Sequence, residues 1–126
     1  MNAGDTFLFL DIPQKHLWIV ISDPAANPTD PVVIVSLTTH RGNVDETCVL
    51  NVGDHPFIKH ATSVFYAKAM SWPKGRLEGL ARSGRVEIRE PLDPEVLGRI
   101  RVGASESWRI PEGCRKILIS QGLIEG

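Results

Sequence analysis

A mainly β fold, a small barrel carrying a helical C-terminal appendage, is what this sequence predicts. Two observations carry that reading. Short apolar runs punctuated by Pro, Gly, Asn and Asp fill residues 1–91, as many-stranded β domains require. The pattern then changes at Asp93-Pro94-Glu95, where an N-cap aspartate, a proline at the first helical position and a carboxylate in the first turn open a helix. At 126 residues the chain fits a single domain, 1–126, with a β body over 1–91 and a helical segment over 92–126.

Taken in order, Thr6 to Ile12 reads as a first strand, ended by Pro13, which cannot donate to a ladder. Leu17 to Ile21 and Val32 to Leu37 are continuous β-branched and apolar runs, the signature of strands buried on both faces. Between them Pro24, Pro28 and Pro31 stand among Asn and Asp and make a loop. Thr38 to Asp45 reads as an exposed loop, Thr47 to Asn51 as a short strand, and Gly53-Asp54-His55-Pro56 as a turn. Ser63 to Ala69 is strand-like, and Trp72-Pro73-Lys74-Gly75 is a second turn. Arg85 to Glu90 alternates, which places Val86 and Ile88 toward the core. Val96, Leu97, Ile100 and Ala104 follow at helical spacing, with Gly98 and Gly103 each costing about 1 kcal/mol relative to Ala. A last helix opens at Pro111-Glu112, buries Cys114, Ile117 and Leu118, and stops at Gly122.

Composition narrows the function. Hydrophobic residues at 42% and charged residues at 23% describe an ordinary globular chain rather than a disordered one. A formal charge of −1 argues against a broad basic field, while leaving room for a local basic patch. Cys48 and Cys114 form no zinc spacing and read as buried reduced thiols, with a disulfide between them as the alternative. The Phe7 to Leu10 run is too short for a signal peptide, and no stretch approaches the roughly twenty apolar residues of a membrane span. The chain therefore reads as cytoplasmic.

Chemistry is concentrated in the first half. His16, His40, His55 and His60 lie there, and histidine is the side chain suited to proton transfer near neutral pH. His55 to His60 brings two imidazoles and Lys59 just ahead of Thr62 and Ser63; phosphodiester cleavage needs such a base, an acid and a cation. Ser36 to Arg41 closes an apolar run with hydroxyls, His40 and Arg41, and strand ends opening onto a barrel mouth are frequent ligand sites. From 59 to 89 the chain is locally basic, and Tyr66 and Trp72 in that stretch offer stacking surfaces for bases. His55 and His60 match no metal motif, so no metal and no cofactor is expected. A hydrolase built on a metal held by those two histidines is the weakest reading.

Gly4-Asp5 followed by the Thr6 to Leu10 strand, Leu17 to Asp23 with Asn27, Val32 to Thr39, and Phe57 to Val64 together resemble the PemK/MazF-like toxins of bacterial toxin–antitoxin systems. The similarity spans roughly residues 4 to 105. It implies an SH3-like β-barrel with C-terminal helices, usually a homodimer, that cleaves single-stranded RNA without metal and is neutralised by an antitoxin protein. Carried over by position, Thr38 or Thr39 matches the family's active-site threonine. The position of the family's catalytic arginine reads Lys15-His16 here, and Leu37 stands where a proline is usual. The resulting expectation is an endoribonuclease in which His16 transfers a proton, Thr38 or Thr39 binds the scissile phosphate, and Arg41 and Lys59 neutralise its charge. Lys15, His40, His55, Lys59, His60 and Ser63 are the expected RNA contacts. The alternative is a non-catalytic barrel of the same shape that binds a protein or nucleic-acid partner.

Overall fold

The structure is a computed structural model that describes residues 1–41 and 45–126; Gly42 and Asn43, expected in a loop, lie outside the described residues. Its strands are β1 (Thr6–Phe9), β2 (Trp18–Val20), β3 (Val32–Thr39), β4 (Val49–Leu50), β5 (Thr62–Trp72) and β6 (Val86–Arg89). Helix α1 (Lys74–Arg82) lies between β5 and β6, and α2 (Pro94–Glu106) and α3 (Glu112–Ser120) follow. The strands form one antiparallel sheet in the order β4-β5-β3-β2-β1-β6, with β4 and β6 at its edges.

The apolar runs explain the layering. Successive strand residues point to opposite faces, and β3 feeds two separate cores. Val33, Val35 and Leu37 join Ile19, Val64 and Tyr66 in a core roofed by Val96, Leu97 and Ile100 of α2 and by Cys114 and Leu118 of α3. Val32 and Ile34 join Phe7, Val20 and Val86 in a smaller core capped by Leu77 of α1. Burial on both faces, expected from the unbroken run, is what the strand has. The β3–β5 pairing breaks register between Ile34 and Ser36, an irregularity of the kind that bends a strand and raises its twist.

Three expectations are corrected. Trp72 to Gly75 is not simply a turn: Pro73 stands at the N-cap of α1, so helix occurs inside the 1–91 body. Ile88 is 52% exposed although Val86, two residues earlier, is buried. It lies on edge strand β6, opposite Phe7 and past the cover that α1 gives. Thr38 and Thr39 belong to β3 and not to the loop after it. At α2, Asp93 stands at the N-cap with Pro94 next, as expected, but its side chain makes no capping hydrogen bond. Cys48 and Cys114 are free and buried. No helix is long and apolar enough to cross a membrane, a statement made of the described residues.

Candidate active site

The end of the sheet where β3 and β5 begin to part carries a cleft of about 590 Å³. Three chain segments build it: Gln14, Lys15 and His16 ahead of β2; Leu37, Thr38, Thr39 and Arg41 at the end of β3; and Phe57 to His60 with Thr62 leading into β5. The pairing of Thr38 with Ser63 and of Thr39 with Thr62 fixes the second and third segments side by side. The first is held to the second by the Leu37 N–H, which donates to the Leu17 carbonyl at 3.0 Å.

Lys15, His16, Thr38, Thr39, Arg41, Lys59 and His60, scattered over some forty-five residues of sequence, thus line one depression. Among the described residues its lining holds three cationic side chains, two imidazoles and three threonines, and no carboxylate. On a chain of net charge −1, that is a local concentration of positive charge.

Each imidazole is oriented by the backbone. His16 Nδ1 lies 3.0 Å from the Leu37 carbonyl oxygen and His60 Nδ1 lies 3.2 Å from that of Ala61. A carbonyl only accepts, so both rings donate from Nδ1. In each, Nε2 is left to hold the lone pair when the ring is neutral and a proton when it is charged. Lys15 is committed differently. Its ammonium donates to the carbonyls of Phe9, Leu10 and Ile12 at 3.3, 2.7 and 2.6 Å, so its three protons clamp the chain leaving β1. It contributes charge to the cleft while its hydrogen bonds serve the loop.

The remaining expected contacts lie outside the lining. His55 is only 3% exposed. Its Nδ1 accepts from the Phe57 N–H at 3.0 Å, and its Nε2–H donates to the Glu90 carbonyl at 2.6 Å. That carbonyl also accepts from the Thr6 hydroxyl at 2.7 Å, so His55 ties the loop before β5 to the end of β6 and β1. Ser63 is fully buried, and its hydroxyl lies 2.7 Å from Nδ1 of half-buried His40. The pair ties the residue just beyond β3 to β5. Tyr66 is fully buried with its hydroxyl on the Ile100 carbonyl, so it offers no stacking face, and Trp72 is covered by the Arg76 guanidinium at 4.2 Å.

Gln14 and Phe57 line the cleft without having been expected there, and Thr62, which the sequence places just after His60, lines it as well. Gln14 directly precedes Lys15-His16, and the pairing of Thr62 with Thr39 sets that threonine against the end of β3. Among the described residues no group of three His, Cys, Asp or Glu side chains is arranged to hold a metal ion. A site of this make-up has the cations to attract an anion of phosphate type, hydroxyls to donate to it, and two imidazoles to move protons. No protein-family model matches the chain, and no curated protein matches it.

Proposed function

We propose that this chain is a PemK/MazF-like toxin, a metal-independent endoribonuclease acting on single-stranded RNA. The observation that carries the proposal is the acid-free cleft in which His16, Thr38, Thr39, Arg41 and Lys59 converge. RNA supplies its own nucleophile, the 2′-hydroxyl, so the protein has to remove its proton, hold the phosphate and balance charge as it grows on the phosphoryl oxygens. In this reading His16 takes the proton at Nε2, the free nitrogen once Nδ1–H is bound to Leu37. Thr38 or Thr39 donates to a phosphoryl oxygen, and Arg41 and Lys59 neutralise the developing charge.

The same proposal includes an SH3-like barrel scaffold, a cytoplasmic homodimer and control by an antitoxin protein. The register break between Ile34 and Ser36 supports the barrel, because a bent, strongly twisted central pair is what coils a sheet on itself.

Purified protein incubated with single-stranded RNA in EDTA is expected to release fragments ending in 2′,3′-cyclic phosphate, and His16→Ala to lose about 100-fold or more of that activity. Intact RNA, or equal cleavage by His16→Ala, rejects the assignment. One observation favours the second reading, a non-catalytic binding scaffold: the cation beside His16, Lys15, spends its three donors on backbone carbonyls. Salt-dependent RNA binding without any cleavage is the result that selects it.

A further inference from the structure

Resting on the endoribonuclease reading, we infer that His60 is a second catalytic residue, the proton donor to the departing 5′-oxygen. The inference starts from an equivalence between the two cleft imidazoles. Both are pinned through Nδ1–H to a backbone carbonyl, His16 to Leu37 on β3 and His60 to Ala61 just before β5. The Ala61 carbonyl also accepts the His40 N–H at 3.0 Å, which ties it to the chain just beyond β3. Leu37 and His40 are three residues apart, so the two anchoring points are separated by roughly 10 Å along the strand. Thr38 and Thr39 lie between them and line the same cleft. In the inferred arrangement a phosphate seated on those threonines lies between the two points that anchor the imidazoles.

That placement answers a need the proposed function leaves open. Cleavage forms the P–O2′ bond and breaks the P–O5′ bond. The proton of the 2′-hydroxyl goes to His16 Nε2, and the leaving alkoxide takes a proton from His60 Nε2–H. The phosphorus changes neither oxidation state nor net charge, and the enzyme ends with its proton moved from one imidazole to the other. Solvent exchange restores both. An alkoxide is a poor leaving group, and without a donor the departure is the costly half of the reaction. The other groups lining the cleft are poorly matched to proton donation at neutral pH. Lys15, Arg41 and Lys59 are strong-base cations, and the hydroxyls of Thr38, Thr39 and Thr62 are weak acids. Among the described residues that line the cleft there is no carboxylate.

The test uses leaving groups of different basicity. Full-length wild-type, His16→Gln and His60→Gln proteins are assayed on single-stranded RNA and on the 4-nitrophenyl ester of a nucleoside 3′-phosphate, whose nitrophenolate departs without a proton. His60→Gln is expected to lose about 100-fold or more on RNA and to stay within a few-fold of wild type on the ester. His16→Gln is expected to lose on both. The alkaline limb of the RNA pH–rate profile, which reports the acid, is expected to vanish in His60→Gln and to persist in His16→Gln. His60 is exposed, and anisotropy with a 2′-deoxy strand checks that the variant still folds and binds. Equal loss on both substrates, or wild-type cleavage of RNA by His60→Gln, overturns the inference while leaving the nuclease reading intact. A wild-type protein that cleaves neither substrate removes both.

Discussion

The Tyr66 hydroxyl donates a 2.7 Å hydrogen bond to the carbonyl of Ile100, fastening the middle of β5 to the second turn of α2. Gly103 makes the approach of sheet and helix close enough for it. A Cβ at Gly103 would overlap the Tyr66 hydroxyl and stand 3.0 Å from the Cys48 Cβ. The glycine that weakens α2 as a helix is therefore the residue that lets it dock. Gly103→Ala is expected to destabilise by about 1–2 kcal/mol, overpacking outweighing the gain in helix propensity. Tyr66→Phe is expected to cost about 1 kcal/mol for the lost buried hydrogen bond. Urea titration of the double variant should show less loss than the two single losses added, because removing the hydroxyl frees space for the new methyl. Strict additivity would mean that the two residues do not share this contact.

The same core sets the response to alkali. Burial pushes the Tyr66 phenol and the Cys48 and Cys114 thiols up from their ordinary values. The folded chain then keeps protons that the unfolded chain gives up, so the stabilisation is complete below the unfolded pKa values and is lost as pH rises past them. Denaturant midpoints are expected to fall above about pH 8.5 as the unfolded thiols ionise, and more steeply above about pH 10 as the phenol joins. Cys114→Ala should be less stable at pH 7 and show a shallower fall between about pH 8.5 and 10. A midpoint unchanged up to about pH 10.5 would show that these groups ionise in the folded state as easily as in the unfolded.

His55 is expected to behave as a structural residue despite its type. Its two ring nitrogens are both paired, to the Phe57 N–H and the Glu90 carbonyl, and it is buried between three chain segments. His55→Ala strands a backbone donor and opens a cavity, which should cost about 2–4 kcal/mol in urea unfolding. At a temperature where the variant stays folded, cleavage per folded molecule should match wild type. A loss of rate without a loss of stability would move His55 into the site.

Why the sequence reveals some of this and hides the rest follows from the range of each signal. The Val32 to Leu37 run announces burial on both faces because alternation is absent within six adjacent residues, and both cores are found there. Thr38, Thr39 and Arg41 could be named because they close an apolar run, where polar side chains replace apolar ones over one or two positions. Lys59 and His60 could be named by the composition of their segment, and Lys15-His16 by the position carried over from the resemblance. Helix α1 was hidden by its own composition. Pro73 and Gly75 read as turn residues, and Leu77 is its one fully buried side chain, so no apolar stripe marks it. The separation of His55 from His60 was equally hidden. Five residues apart in a polar segment, they are told apart by a long-range partner, the Glu90 carbonyl thirty-five residues beyond His55.

If the cleft holds a nucleic-acid backbone as proposed, Arg41 and Lys59 give it its most direct physical readout, the salt dependence of binding. Both line the cleft from different segments, Arg41 after β3 and Lys59 ahead of β5, so each can neutralise its own part of the backbone. Binding to single-stranded nucleic acid releases counterions, and log K against log salt falls with a slope of about −0.7 for each phosphate neutralised. Arg41→Ala and Lys59→Ala are each expected to weaken binding of a 2′-deoxy strand at low salt and to reduce the slope by about 0.7. The double variant should lose about twice as much slope. Lys68→Ala removes an exposed cation on β5 outside the cleft lining and should leave the slope unchanged. If the Lys68 variant changes the slope as much as the cleft variants do, the strand is held by diffuse surface charge and the cleft loses its claim to the phosphate.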